Sequence, residues 1–492
     1  MTDVTIAIIG AGFSGLGAAI KLQQNGFEDF VILDRGSDFG GTWRDNTYPG
    51  AACDVPSHLY SYSFAPNPNW SRSFSQQPEI HQYINDVAET YDIRSRTRFG
   101  VEVRDARWDD TSQRWTIDTD AGEYTAKYLV GAVGPLCEPN LPDIKGINEF
   151  GGEIFHSARW NHDYDLTGKR VAVIGTGASA IQIIPGIADK VGHLDVYQRT
   201  APWVLPRADR PYTGLEHWAF KNIPGYQKLC RLGIYSAHEL VSFGLTYAPD
   251  VLKPAVRAGK ANIARAISDR TLREKVTPTF KPGCKRILLS NLYYPALAQD
   301  NVEVVTDGIS HVTETGIVTV DGEEREVDAI VVATGFHVTD SPTFEHIVGR
   351  GGRSLAETWQ SAGMKAYKGS TVHGFPNMFL MIGPATGLGH TSMVYMIESQ
   401  LNYLVDELKK IRSQSISTID VKADVQDSYN ASIQKTLRRS VWIAGGCSSW
   451  YKDADGNVTT VWPGFTFRFR NSLRTFDTDA YTITREREEI SA

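Results

Sequence analysis

Residues 4–9 read VTIAII and residues 10–15 read GAGFSG, and this stretch decides the fold. The first run is short and apolar, as in a buried parallel strand, and the glycines follow it at the spacing G-x-G-x-x-G. A helical pattern and a second apolar run at 30–33 complete a strand–loop–helix–strand unit. This unit predicts a dinucleotide-binding α/β fold, because the glycines let the backbone approach a pyrophosphate at a helix N-terminus. The glycines are Gly10, Gly12 and Gly15.

The same order of elements recurs once along the chain. Residues 170–174 form the apolar run, residues 175–180 read GTGASA, and residues 181–188 and 194–197 supply the helix and the second strand. This loop ends in alanine rather than glycine, so it is the weaker match. For either loop, the alternative is a tight strand–helix turn that binds no ligand. The residues predicted to bind cofactor in the second loop are Gly175, Gly177 and Ser179.

The residue that closes the second strand of each unit separates the two ligands. In the first unit it is Asp34, about 20 residues beyond the loop, where a carboxylate accepts the ribose hydroxyls of an adenosine. A 2′-phosphate would meet like charge there, so this site suits FAD or NAD. In the second unit Arg199 and Thr200 offer a guanidinium and a hydroxyl, which favours the 2′-phosphate of NADPH. The alternative for Arg199 is a solvated surface arginine.

The bulk properties exclude several classes of protein. A chain of 492 residues is long enough for two or three domains, and its net charge of −7 argues against nucleic acid as a main partner. The first strand begins too early for a signal peptide, and no apolar run approaches the roughly 20 residues of a membrane helix. Five scattered cysteines without a Cys-x-x-Cys pair suit a reducing cytoplasm and argue against a disulfide reductase or a metal site.

Further spaced motifs cover nearly the whole chain. Residues 40–54 contain G-G-x-W-x4-Y-P-G-x3-D, residues 150–160 contain F-x-G-x-x-x-H-x-x-x-W, and residues 333–336 read ATGF. Glycines at 383–389 open a late helix, and residues 447–451 read CSSWY. With these motifs the chain resembles the class B flavoprotein monooxygenases and, within them, the Baeyer–Villiger monooxygenases.

The 150–160 motif resembles the linker fingerprint of that family, which lies between two domains. The resemblance implies a positioning or hinge role for His156, with direct proton transfer as the alternative. Trp160 favours the Baeyer–Villiger group, because related flavin N-oxygenases usually have a smaller aromatic residue there. Asn161 stands where the family has Pro or Asp, and proline would have fixed the backbone. The matched linker residues are Phe150, Gly152, His156 and Trp160.

The resemblance implies FAD at the first loop and NADPH at the second. It divides the chain into an FAD-binding domain (1–140 and 339–492) and an NADP-binding domain (141–338), with a helical insertion at about 207–281. The expected fold class is α/β with two Rossmann-like dinucleotide-binding domains. For each tryptophan assigned to cofactor contact, a place in the core is the alternative. The remaining residues assigned to cofactor contact are Arg35, Thr42, Trp43 and Trp450.

The implied chemistry needs a permanent cation beside a flavin peroxide, which must stay anionic to attack a ketone. Arginine keeps its proton at any working pH, and the family match at residues 285–286 assigns this role to Arg286. The same match assigns Asp54 to orienting Arg286 and Lys285 to the 2′-phosphate beside Arg199. Neighbouring residues on a strand face opposite ways, so adjacent cations can serve two sites. The alternatives are solvated surface charges and, for Asp54, a turn cap.

The predicted function is therefore insertion of one oxygen atom of O2 next to a ketone carbonyl, giving an ester or lactone. Two alternatives remain: oxygenation of an amine or sulfide, and an uncoupled NADPH oxidase. The expected partners are O2 and a small ketone, and the expected state is a monomer or weak homodimer. The charged end, residues 484–492, is expected to fray.

Overall fold

The computed structural model describes residues 1–447, 449–453 and 455–485. The strands are β1 (Thr2–Ile9), β2 (Phe30–Asp34), β3 (Thr97–Phe99), β4 (Val103–Asp109), β5 (Arg114–Thr119), β6 (Gly122–Gly131), β7 (Glu153–His156), β8 (Arg170–Ile174), β9 (His193–Tyr197), β10 (Val204–Leu205), β11 (Leu288–Leu289), β12 (Val302–Val305), β13 (Ile309–Val312), β14 (Gly316–Thr319), β15 (Glu324–Glu326), β16 (Ala329–Val332), β17 (Ile347–Val348), β18 (Met378–Leu380), β19 (Ile416–Val421) and β20 (Tyr481–Arg485). The α-helices are α1 (Phe13–Gln24), α2 (Thr42–Asp45), α3 (Gln77–Thr90), α4 (Ala180–Ile187), α5 (Gly214–Asn222), α6 (Tyr226–Thr246), α7 (Lys253–Ala266), α8 (Arg270–Val276), α9 (Tyr293–Leu297), α10 (Leu355–Ala362), α11 (Met393–Ser413), α12 (Ala423–Leu437), α13 (Val441–Ala444) and α14 (Thr466–Ser472).

The larger sheet carries the first glycine loop. Its strand order is β17-β4-β5-β6-β1-β2-β3, with β18 paired to β6, and β6, β1, β2 and β3 run parallel. Every residue of β2 is buried, which is the burial that a parallel strand covered on both faces requires. Helix α1 leaves the end of β1 through the glycine loop and packs against α11. The loop therefore lies at the carboxyl edge of a central strand, where α/β sheets bind ligands.

The second sheet carries the second glycine loop in the same way. Its order is β12-β9-β8-β16-β7, and all four pairings are parallel. The loop follows β8, the middle strand of the sheet, and leads into α4. Strand β7 is formed by residues of the 150–160 motif, so that motif is partly an edge strand of this sheet and not only a linker.

The stretch between Thr213 and Thr277 contains helices α5 to α8. The first of them begins with a capping box, in which Thr213 and Glu216 bond each other's backbone amides. Further along, the buried Glu239 of α6 accepts hydrogen bonds from the amide and hydroxyl of Thr466 and contacts His390 at 3.4 Å. These contacts fasten α6 to the C-terminal part of the chain.

The predicted elements of the two βαβ units agree with the observed ones to within a few residues. The late helix predicted after the glycines at 383–389 is observed as α11, capped by the Ser392 hydroxyl on the amide of Val394. The expectation that 484–492 frays is wrong for Thr484 and Arg485, which pair in β20, and residues 486–492 lie outside the described residues. Within the described residues, no helix is long and apolar enough to cross a bilayer.

Gly15 tests the packing of the first unit. A Cβ at this position would lie 1.8 Å from the carbonyl oxygen of Gly10, a rigid backbone atom. We expect Gly15→Ala to lower the free energy of unfolding by roughly 2 kcal/mol or more, because overpacking forces the backbone to shift. Gly214→Ala is the control, since its Cβ would meet nothing within 4 Å. Equal urea-unfolding midpoints for the two variants would contradict the packing argument.

Candidate functional site

The first glycine loop forms a backbone cradle with the glycine pair that follows β2. Gly10 has a φ of +106°, and a Cβ there would strike the carbonyl oxygen of Ala132 at 2.6 Å. The amide of Gly40 donates to the carbonyl of Ala11 (3.1 Å), and a Cβ on Gly41 would lie 3.3 Å from the Cα of Gly12. No side chain caps the first turn of α1. This cradle of bare backbone beside a helix N-terminus fits a dinucleotide pyrophosphate.

Asp34 lies where the sequence predicts an acceptor for ribose, but its carboxylate already has three donors. These are the amides of Ala11 (2.6 Å) and Gly36 (2.7 Å) and the guanidinium of Arg44 (2.8 Å). A carboxylate offers about four acceptor positions, so about one remains for a ribose hydroxyl. Asp34 therefore also holds the glycine loop in shape, a second task that its position alone does not reveal.

The other residues assigned to the first cofactor lie around this cradle. Arg35 bonds Glu138 (2.7 Å) and the carbonyl of Cys137 (3.0 Å), which joins the end of β2 to the chain beyond β6. Thr42 begins α2. The half-buried Trp43 donates its indole N–H to the Tyr60 hydroxyl (3.0 Å). These contacts are compatible with both a cofactor role and a purely structural one.

The second loop has the same backbone restraint at its start. Gly175 has a φ of +120°, and its Cβ would meet the carbonyl oxygen of Ala333 at 2.4 Å. A Cβ on Gly177 would meet nothing within 4 Å, and Ser179 begins α4 without a side-chain cap. The Thr176 hydroxyl donates to the carbonyl of Thr200 (3.0 Å), which connects the loop to the end of β9. Open space beside uncapped amides fits a second pyrophosphate.

Two cations meet beside this loop. Burial lowers the pKa of Lys285, and the positive charge of Arg199 lowers it further. Within the described part of the chain, neither has a hydrogen bond or ion pair to a carboxylate. Two unpaired cations at the end of a Rossmann strand repel each other, and a phosphate between them would relieve that repulsion. The residues present therefore fit the 2′-phosphate of NADPH.

Arg286 and Asp54 form a bidentate ion pair. Nε and Nη2 of Arg286 lie 2.8 Å from the two carboxylate oxygens, and Nη1 donates to the carbonyl of Leu388 (3.2 Å). The charge of Asp54 raises the pKa of Arg286 despite the opposing effect of burial. Burial favours the neutral form of Asp54, but the guanidinium outweighs it and lowers the pKa. The side chains are 30% and 25% exposed, so the charged pair is partly accessible and is not sealed in the core.

Lys285 and Arg286 serve different partners, as the sequence predicts, although not for the predicted reason. They lie just before β11 and not within a strand, so alternation along a strand does not separate them. Lys285 lies beside Arg199, whereas Arg286 bonds Asp54 and Leu388.

His156 has both ring nitrogens engaged by backbone. Its Nδ1 accepts from the amide of Ala158 (3.1 Å), and its Nε2 contacts the carbonyl oxygen of Gly335 at 3.0 Å. Burial lowers its pKa, which favours the neutral ring that this arrangement needs. The ring also packs edge-to-face on Phe336. His156 thus joins the 150–160 motif to the ATGF turn, which supports the positioning role over proton transfer.

The rest of the linker motif is packed closely. A Cβ on Gly152 would lie 2.5 Å from the carbonyl oxygen of Asp328 and 2.6 Å from the Phe150 ring. Trp160 packs edge-to-face on Phe155. Asn161 accepts the amide of Asp163 (3.0 Å) and donates to Glu153 (2.7 Å). Asn161 therefore restrains the turn through its side chain, as Asp could.

The C-terminal segment contains contacts that sequence reasoning missed. Cys284 and Cys447, 163 residues apart, form a disulfide, whereas Cys53, Cys137 and Cys230 are free. Nothing in the sequence indicated this bond, because no local spacing marks so distant a pair. Trp450 is 45% exposed, so it is not a core tryptophan.

One further cluster has side chains that could bind a metal. His193, Asp195 and Glu303 have ligand atoms within 4.8 Å of one another. However, Arg325 bonds Asp195 (3.3 Å) and Glu303 (2.8 Å), so a guanidinium already neutralises the carboxylates. This arrangement is an ion-pair network on the second sheet.

The chain is similar to known proteins over nearly its whole length. Residues 7–242 match the family model described as pyridine nucleotide-disulphide oxidoreductase. A Baeyer–Villiger monooxygenase of Streptomyces coelicolor is 51% identical, with 98% of this chain and 93% of the relative covered. Another of Pseudomonas aeruginosa is 50% identical, with 97% and 91% covered. The crystal structure of cyclohexanone monooxygenase from Rhodococcus sp. Phi1 bound to NADP+ has a TM-score of 0.88 at 29% identity, covering 99% of this chain and 100% of that one.

Arg199 tests the anion site. We expect Arg199→Ala to raise KM for NADPH by about tenfold to a hundredfold and to leave KM for NADH nearly unchanged, because only NADPH has the 2′-phosphate. Steady-state oxidation of the two cofactors measures this difference. Arg270→Ala is the control, since that side chain is 87% exposed and remote in sequence from the loop. Equal effects on NADPH and NADH would contradict the assignment.

Asp54 tests the ion pair. A carboxyl whose folded pKa is lowered stabilises the protein above its unfolded pKa, near 3.9, and this contribution is lost as the pH falls through the folded pKa. We expect Asp54→Asn to cost about 2 kcal/mol at pH 7, because Arg286 loses its counter-ion. The difference from the parent should shrink below pH 4, as measured by urea unfolding. A difference that does not change with pH would show that the charge of Asp54 contributes nothing.

Proposed function

Since the chain belongs to the Baeyer–Villiger monooxygenases, we propose that it inserts one oxygen atom of O2 next to the carbonyl of a ketone, giving an ester or lactone. Its cofactors are FAD and NADPH. The observation that carries the proposal is the Arg286–Asp54 pair, a partly accessible ion pair that joins a segment following the first glycine-loop unit to one within the second. We assign FAD to the first loop and NADPH to the second.

The bound cofactors supply the redox chemistry: NADPH delivers hydride, and reduced FAD activates O2. Side chains do not carry out hydride transfer or O2 activation, so the protein contributes binding, orientation and charge. The backbone cradle at Gly12 and Gly41 would hold the FAD pyrophosphate, and Asp34 would accept a ribose hydroxyl. Arg199 and Lys285 would bind the 2′-phosphate of NADPH. The repulsion between their charges would be relieved when the phosphate is bound, so it favours the bound state over the empty site.

Arg286 supplies a cation that does not depend on pH. A guanidinium keeps its proton at any working pH, and the neighbouring Asp54 strengthens that preference. The bidentate geometry fixes the plane of the guanidinium, and the bond to Leu388 fixes its remaining edge. A fixed cation stabilises negative charge that develops during reaction without having to reorganise. This charge favours nucleophilic attack on a ketone over the heteroatom oxygenation that an electrophilic oxidant performs.

We also propose the domain boundaries, the role of the linker motif, the substrate class, the location and the oligomeric state. The FAD-binding domain comprises 1–140 and 339–492, and the NADP-binding domain 141–338, because β17 and β18 return to the larger sheet. The 150–160 motif acts as the linker that positions the two domains, through the bonds of His156. The substrate is a small ketone, the location cytoplasmic, and the state a monomer or weak homodimer.

Arg286→Ala tests the proposed reaction. The purified protein with NADPH is given a panel of linear, cyclic and aryl ketones and sulfides, and ester, sulfoxide, hydrogen peroxide and NADPH are measured together. For the parent protein we expect ester that matches the NADPH consumed. We expect Arg286→Ala to form ester about 100-fold more slowly while still oxidising NADPH to give hydrogen peroxide.

The controls separate the alternatives. Arg270→Ala should behave as the parent, because Arg270 is an exposed residue of α8. Ester formation by Arg286→Ala at the parent rate would contradict the role of this residue. For the parent protein, sulfoxide without ester would favour heteroatom oxygenation. Hydrogen peroxide alone with every compound would favour an uncoupled NADPH oxidase.

A further inference from the structure

The disulfide joins the C-terminal segment to the residues that carry Arg286. Cys284 is fully buried and lies directly before Lys285 and Arg286. Near the other end of the bond, a Cβ on Gly445 would lie 2.6 Å from the sulfur of Cys284, so only glycine allows this approach. The amide of Lys281 also donates to the carbonyl of Gly445 (3.1 Å). The covalent bond is thus part of a close contact between the two segments.

The same C-terminal segment is held at its far end by a second contact. The amides of Ala385 and Gly387 donate to the carbonyls of Thr459 (2.8 Å) and Thr460 (2.7 Å), and the amide of Trp462 donates to Gly387 (2.9 Å). The next residue, Leu388, accepts the hydrogen bond from Nη1 of Arg286. One anchor of the segment is therefore two residues from Arg286 in sequence, and the other is next to the residue that Arg286 bonds.

Tyr451 lies between these anchors and beside Arg286. Its side chain is fully buried, and its ring centroid lies 4.2 Å from that of Trp450. Burial raises the pKa of its hydroxyl, whereas the charge of Arg286 and a side-chain interaction with that guanidinium lower it. Among the described residues the hydroxyl has no hydrogen bond of standard length and angle, so its interaction with Arg286 is a longer polar contact.

We propose that the Cys284–Cys447 disulfide and Tyr451 together position Arg286. The disulfide fixes the segment between Cys447 and Trp462 against residues 284–286, and this places Tyr451 beside the guanidinium. The inference rests on the proposed role of Arg286 in oxygen insertion. When the bond is intact, the guanidinium has protein on three sides: Asp54, Leu388 and Tyr451. When the bond is reduced, the segment loses its first anchor and Arg286 loses the contact with Tyr451.

The disulfide can be reduced by a dithiol and formed again by hydrogen peroxide, and electrons and protons balance in both reactions. A dithiol such as dithiothreitol reduces the disulfide to the two thiols of Cys284 and Cys447 and is itself oxidised to a cyclic disulfide. In the reverse direction the two thiols lose two electrons and two protons to hydrogen peroxide, which gives two molecules of water. Two of the three free cysteines compete poorly in this reaction: Cys53 is buried with a raised pKa, and burial raises the pKa of Cys137 to about 11.

The first test uses structural readouts and requires no activity. Alkylation of the FAD-bound protein under denaturing, non-reducing conditions should modify three of the five cysteines, and all five after dithiothreitol. Native protein should be cut by trypsin after Lys452 at least about fivefold faster when reduced, or in Cys447→Ser. Cys230→Ser is the control, since that residue is free and lies on α6. Five alkylated cysteines without reduction, or cleavage that is unchanged by reduction, would overturn the proposal.

The second test separates positioning from folding. We expect reduction, Cys284→Ser and Cys447→Ser each to lower the ester formed per NADPH at least about threefold, and Tyr451→Phe to do the same with the disulfide intact. Reoxidation should restore the parent but not Cys447→Ser. If reduction exposes Lys452 while the ester yield per NADPH is unchanged, the positioning role is wrong. If the parent forms no ester at all, the proposed function fails, and the protection of Lys452 still decides whether the disulfide holds the segment.

Discussion

The ion pair between Arg286 and Asp54 is the interaction on which the rest of the candidate site depends. A partly buried guanidinium needs a fixed counter-charge, because it loses much of its hydration. Asp54 supplies that charge from the segment between α2 and α3, and Leu388 supplies a backbone carbonyl from the loop before α11. Arg286 itself follows the helical insertion of the second unit. The pair can therefore exist only when these three distant segments meet.

Lys285 has the same charge as its neighbour Arg286, but it has no carboxylate partner among the described residues. Arg286 is neutralised by the protein, so it stays ordered and charged whatever is bound. Lys285 and Arg199 have no such partner among the described residues, and burial, together with the charge of Arg199, lowers the pKa of Lys285. Cations that the fold leaves unpaired are suited to an anionic ligand, whereas a paired cation is suited to orienting a reaction. Two adjacent residues thus separate binding from chemistry.

The side-chain contacts of Asp34, His156 and Tyr451 differ from the roles that their motifs suggest. Asp34 ends β2, as the sequence predicts. Its carboxylate accepts hydrogen bonds from two backbone amides and from Arg44, so only part of its capacity remains for ribose. His156 invites an acid–base reading, yet backbone groups occupy both nitrogens. Tyr451 stood in a matched motif without a role. Each case has the same cause, because a residue's position in a motif does not specify which neighbours compete for its side chain.

The sequence by itself determined both glycine loops, their flanking strands and helices, and the difference between Asp34 and Arg199. Such features are local, because a turn that brings backbone to a phosphate requires glycine at fixed spacing. It also predicted that Arg286 and Asp54 belong together, although only through family resemblance. The tertiary structure alone decided the bidentate geometry of that pair and the Cys284–Cys447 bond. These contacts join segments far apart in the chain, and their geometry depends on how the sheets and the insertion pack, which no local pattern encodes.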